Sequence, residues 1–86
     1  MHYVYVLKSL KNNKLYTGLT DNLKRRVYEH NLKSRKGNEW TKRNGPFKLV
    51  YYEAFCNKYD AIHDEKFFKS GYGREVLRQK LEKTLR

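Results

Sequence analysis

At 86 residues the chain fits one small domain, expected over residues 1–86, and its size argues against a large substrate cavity. Lysine and arginine number 20 against 9 acids, a formal charge of +11, so the expected partner is a polyanion. With no long apolar run and no single amphipathic helix that gathers the basic residues, nucleic acid is favoured over a membrane surface.

The first predicted strand covers residues 3 to 7, with Tyr3, Tyr5 and Leu7 on one face. After the turn formers Lys11-Asn12-Asn13-Lys14, Leu15 to Leu19 resumes an extended pattern, and the two runs predict an antiparallel hairpin. A helix follows from about Asn22 to Lys33, capped by Asp21 or Thr20, whose oxygens can accept from the first-turn amides. Ser34 to Pro46 is a basic loop, broken by Gly37, Asn44, Gly45 and Pro46.

Phe47 to Phe55 is rich in aromatic and β-branched residues and is the clearest strand. Asn57 caps a predicted helix over 58–69 that Gly71 ends, and a last helix from about Gly73 to Leu85 turns Val76, Leu77 and Leu81 inward. The predicted class is a small α/β (α+β) fold, a three-stranded antiparallel sheet flanked by helices in the order ββαβαα.

Cys56, the only cysteine, excludes an intrachain disulfide and, falling inside an apolar strand pattern, reads as a small buried hydrophobe. It forms no zinc-motif spacing with His2, His30 or His63. Lys8 and Lys11 interrupt what would be the apolar core of a signal peptide, so a reducing cytoplasm is the expected compartment.

Several polar groups stand where packing would ask for apolar ones. On the first helix Arg26 and His30 border the face that meets the sheet, while Lys24, Arg25 and Glu29 point outward. An arginine that snorkels and a histidine that bonds a carbonyl would explain them by packing alone. Tyr5 and Tyr16 come alongside each other in the hairpin, as stacked core rings or as two phenols facing Arg26 and His30 across one groove. In that groove Gly18 would let a phosphate approach the backbone.

Glu65 falls about 40° from Ala61 and about 60° from Ile62 and Phe68, inside the apolar stripe of its helix. A carboxylate there needs a partner, either a metal ion or Lys69 one turn on. Asp60 and Asp64 read as cap and surface residues. In the basic loop, Lys33, Arg35, Lys36, Lys42 and Arg43 flank Trp40, a pattern for phosphate contacts beside a stacking ring or for a solvated loop whose Trp folds back. Gly71-Tyr72-Gly73-Arg74 reads as an anion-binding turn or simply as a helix boundary. No phosphate-loop or dinucleotide signature is present.

Taken in order, Tyr3-Val4-Tyr5, Tyr16-Thr17-Gly18, Asn22-Leu23-Lys24-Arg25-Arg26, His30 and Glu65 resemble the GIY-YIG endonuclease superfamily, most closely its small stand-alone bacterial members. The resemblance runs over nearly the whole chain. Tyr3 stands where the name-giving glycine would be, and no asparagine follows Glu65. It implies hydrolysis of DNA phosphodiesters with one divalent ion, Mg or Mn, and no small-molecule cofactor. Glu65 would be the sole protein ligand of the metal, and Arg26 would hold the scissile phosphate. Tyr16 would help to deprotonate the attacking water, with His30 assisting and Tyr5 positioning it; a phenol is a poor base at neutral pH unless such neighbours help. Lys24, Arg25, Arg35, Lys36, Trp40, Lys42 and Arg43 are the candidate nucleic-acid contacts.

Three functions are thus in competition. The first is a metal-dependent endonuclease on structured or damaged DNA, in repair or recombination. The second is a non-catalytic basic nucleic-acid-binding module, and the third a small scaffold for a protein partner.

Overall fold

A computed structural model describes residues 1–31 and 43–86. Three strands, β1 (His2–Ser9), β2 (Leu15–Thr20) and β3 (Phe47–Phe55), form one antiparallel sheet in the order β2-β1-β3. Helix α1 (Leu23–Asn31) follows the hairpin, and α2 (Lys58–Lys69) and α3 (Gly71–Lys80) follow β3, so the described elements run ββαβαα as expected. No described helix is long and apolar enough to cross a membrane.

Alternation along β1 divides the core into two layers. Val4 and Val6 pack with Ala61 and Phe68 of α2 and with Leu77 and Leu81 at the end of α3. Tyr5 and Leu7 point the other way and pack with Phe47, Leu23 and Val27, the last two from α1. Each face of so small a sheet is therefore covered, which brings a polar helix against the tyrosine face.

The β1–β2 turn is closed by local hydrogen bonds. Buried Ser9 accepts at Oγ from the Lys11 and Asn12 amides and donates to the Asn44 carbonyl at 2.6 Å, which ties the hairpin to the segment before β3. Asn13 takes a positive φ of 62°, a conformation that asparagine tolerates better than most residues. Between Val6 and Leu7 the β1–β3 register shifts: Val6 pairs with Tyr51 but Leu7 with Leu49, leaving Val50 as an extra residue in β3.

Several local expectations are corrected. Helix α1 is capped by Asn22, whose Oδ1 accepts from the Arg25 amide at 3.0 Å, not by Asp21 or Thr20; the Thr20 hydroxyl instead accepts from the Asn22 amide. Asn57 caps α2 as expected, accepting from the Tyr59 amide. Gly71 does not separate the last two helices: Ser70 closes α2, its Oγ accepts from the Gly73 amide, and Gly71 already lies in α3. A side chain at Gly73 would collide with the Phe67 carbonyl, so this glycine lets α3 start against the last turn of α2. With Ser70 filling that helix start, the turn reads as a boundary. Cys56 is exposed, because β3 ends at Phe55 and the thiol falls in the bend beyond it.

Candidate active site

The tyrosine face of the hairpin and the inner face of α1 enclose a buried polar network. Tyr5 lies directly opposite Gly18 in the β1–β2 register, and its ring fills the space above that glycine. A Cβ at Gly18 would collide with the Tyr5 hydroxyl and Cζ. The glycine makes room for the phenol, which replaces the expectation that it opens the backbone to a phosphate.

That phenol joins two residues of α1. Arg26 Nε donates to the Tyr5 hydroxyl at 3.3 Å, and the hydroxyl lies 2.9 Å from His30 Nε2. An arginine can only donate, so we assign the phenol's own proton to the bond with His30, making the imidazole the Nδ1–H tautomer. His30 Nδ1 is buried with no hydrogen-bond partner among the described residues. Tyr5 and His30 are 1% and 3% exposed, so the link between them is shielded from water.

Tyr16 sits diagonally from Tyr5 on the same face, ring centroids 6.4 Å apart, and meets the imidazole edge-on at 5.1 Å. Phe47 packs against the imidazole at 6.4 Å. The Asn31 side chain fixes Phe47 by accepting from its amide at 2.7 Å and donating to its carbonyl at 3.0 Å. From sequence Phe47 was only a strand residue; its place beneath His30 depends on the sheet register.

Electrostatics follow from this burial. The Tyr5 phenol is pushed above its ordinary value, first by burial, with the Arg26 bond and charge pulling the other way. His30 is pushed down to about 4, first by burial and then by the Arg26 charge, and is neutral at physiological pH. The bond to Tyr5 is the largest influence holding Arg26 in its charged form. Arg26 Nη1 also lies 3.7 Å from Glu29, which points back along the helix to Arg26 and Arg25 and not outward as expected.

Glu65 comes from α2, on the other side of the sheet, yet lies near enough for its charge to act on Tyr5. Its side chain is 20% exposed and pairs with Lys69 Nζ at 3.2 Å. The expected partner at i+4 is therefore present. Among the described residues no three His, Cys, Asp or Glu side chains cluster as a metal cage. One carboxylate fits a magnesium-like ion that takes its remaining oxygens from water and substrate phosphates, and does not fit a metal held by protein alone.

Asp64 departs from its expected surface role: its Oδ2 is buried with no hydrogen-bond partner among the described residues. Burial first, and then the neighbouring Glu53 carboxyl, push it up to about 7. Lys24, Arg25 and Arg43 are exposed, and Arg25 pairs with Asp21 at 3.2 Å. Arg35, Lys36, Trp40 and Lys42, with most of the expected basic loop, lie outside the described residues.

Comparisons with known proteins bear on the family and the fold. The GIY-YIG catalytic domain model matches residues 1–81. The UPF0213 protein CPE1444 of Clostridium perfringens is 46% identical over 69 residues, covering 80% of this chain and 71% of that protein. The UPF0213 protein SH2523 of Staphylococcus haemolyticus is 40% identical and covers 90% of both chains. The solution NMR structure of the UPF0213 protein BH0048 from Bacillus halodurans superposes with a TM-score of 0.54 at 39% identity, covering 91% of this chain and 82% of that one. With its domain match, relatives and fold in agreement, the chain belongs to the GIY-YIG family of nucleases, whose members act on nucleic acid.

Proposed function

We propose that this single-domain protein is a metal-dependent endonuclease that hydrolyses DNA phosphodiesters in structured or damaged DNA, in cytoplasmic repair or recombination. The observation that carries this reading is the buried Tyr5 phenol held between Arg26 and His30. A core that needed only stability would fill this space with apolar side chains, since a half-satisfied polar network costs more than an apolar one.

Glu65 is the residue that would hold a magnesium or manganese ion, and the ion would supply charge stabilisation at the phosphate oxygens. Arg26 binds the scissile phosphate. Its Nε is occupied by Tyr5, and its other guanidinium donors stabilise charge as it develops on the phosphate. Tyr16, once its own phenol proton has passed to solvent, accepts the proton of the attacking water, within electrostatic reach of the Arg26 charge. Neutral His30 holds the Tyr5 proton, and Tyr5 in turn fixes the arginine and, through it, the position of the phosphate before the attacking water.

The test is incubation of the protein with branched, single-stranded and duplex DNA in the presence of magnesium or manganese. Cleavage is expected, and Arg26→Ala and Glu65→Ala should each lower it on the order of 10²-fold or more. Cleavage that survives both substitutions overturns the assignment. The Lys69 ion pair on Glu65 favours a second reading, a nucleic-acid-binding module without catalysis. That reading predicts salt-dependent binding and no metal-dependent product.

A further inference from the structure

We infer that the groove between β2 and helices α2 and α3 binds a single-stranded DNA segment running alongside the catalytic cluster. The inference deepens the nuclease reading and rests on it for its choice of DNA. The groove has a volume of about 620 Å³. That lies within the roughly 300–1,000 Å³ of pockets that take small ligands, enough for an unpaired nucleotide and too small to admit a duplex.

Its chemistry selects an anion. Lys14, Lys69, Arg74 and Arg78 line it, and among the described residues no acidic one does. Arg74 and Arg78 stand one turn apart on α3, facing Lys14 and Lys69 from the hairpin turn and α2. Lys69 pairs with Glu65, but Lys14, Arg74 and Arg78 form no ion pair with any described residue. Three uncompensated cations around one concavity would repel one another unless an anion or solvent screened them.

The floor suits a base more than a bare phosphate. Leu15 contributes apolar surface over the buried Phe68 and Leu77, and the wall is β2, an edge strand whose outer row of backbone donors and acceptors has no partner strand among the described residues. An apolar floor, polar edge and cationic rim match the base and backbone of an unstacked nucleotide. Tyr16 lines this groove and also touches His30, so a strand lying there leads directly to the catalytic cluster.

The experiment measures binding in EDTA, where no metal-dependent cleavage can interfere. Fluorescence anisotropy with a labelled single-stranded oligonucleotide and a duplex of the same sequence is followed across a sodium chloride series. The full chain is compared with Arg74→Gln/Arg78→Gln and with the charge-matched control Lys58→Gln/Lys83→Gln, exposed positions away from the groove. Both arginines are exposed, so the variant should melt with wild type by circular dichroism. Its single-strand affinity should fall about tenfold relative to the control, and its salt slope should drop by about 1.4, two contacts at 0.7 each. Its duplex affinity should change no more than the control's. Equal losses in both double variants, or an equal loss on duplex, overturn the inference. Groove-dependent binding by a wild-type protein that never cleaves overturns the nuclease reading alone. Metal-dependent cleavage with unchanged binding in Arg74→Gln/Arg78→Gln overturns the groove alone.

Discussion

Tyr5 and Gly18 share one space: the phenol of the first strand lies where any side chain on its cross-strand partner would have to stand. Gly18→Ala should therefore displace the ring and break its bonds to both Arg26 and His30. A loss of about 1–3 kcal/mol in stability is expected from the overpacking, together with loss of cleavage. Tyr5→Phe separates the two effects, because it keeps the ring and removes the hydroxyl that the network uses. If chemical denaturation finds Gly18→Ala as stable as wild type, the ring has another place to go and this account of the pair fails.

His30 makes stability depend on pH. Its folded-state value of about 4 lies below the ordinary 6.5, so the unfolded chain binds the extra proton first. Stability from this group is complete above about pH 6.5 and is lost as pH falls towards 4, with a slope of at most about 1.4 kcal/mol per pH unit. His30→Gln, which does not titrate, should flatten the urea-midpoint profile across that window. A mutant profile parallel to wild type would reassign the slope to other groups.

Asp64 acts in the opposite sense. Its folded-state value of about 7 lies above the ordinary 3.8, so its contribution is complete at low pH and is lost as pH rises from about 4 through 7. Asp64→Asn removes a buried charge and its repulsion with Glu53 at nearly constant volume. Thermal melts should show the variant gaining on wild type at pH 8 relative to pH 5. A variant equally destabilised at both values would mean that the carboxylate is compensated.

Lys69 already occupies the carboxylate proposed to hold the metal ion. Lys69→Met should leave Glu65 available and tighten manganese binding, measured by electron paramagnetic resonance without DNA, by up to about fivefold, the most that a partly exposed ion pair of about 1 kcal/mol would withhold. Glu65→Gln should abolish that binding. Equal manganese affinity in wild type and Glu65→Gln would remove Glu65 from the metal site.

The third strand and the helix after it were legible to their bounds, because aromatic and β-branched residues lie between turn formers and Asn57 is an unambiguous cap. Arg26, His30 and the two hairpin tyrosines were legible as polar groups at the edge of an apolar face. What eluded the sequence depends on placement between elements. Gly18 shelters a ring only because the register sets it opposite Tyr5. Asp64 is perturbed because packing buries it and β3 brings Glu53 beside it, and Cys56 is exposed because the strand stops one residue earlier. Lys14, Arg74 and Arg78 converge only after α3 folds back along the hairpin.

The extra residue at Val50 sets the tolerance of this domain to length change. Because the register shifts there, Phe47 and Leu49 lie on the side of His30 and Lys48 lies on the other. A regular ladder through all of residues 47–51 would exchange the two sides and turn Lys48 towards the imidazole, whereas removing Val50 leaves Tyr51 and Leu49 as successive partners of Val6 and Leu7 with every side chain on its present side. Loop insertions elsewhere can be absorbed at small entropic cost, whereas within this strand Val50 is the one position at which a residue can be lost with the register of its neighbours kept. A chain lacking Val50 is therefore expected to fold with an uninterrupted β1–β3 ladder and His30 still packed on Phe47.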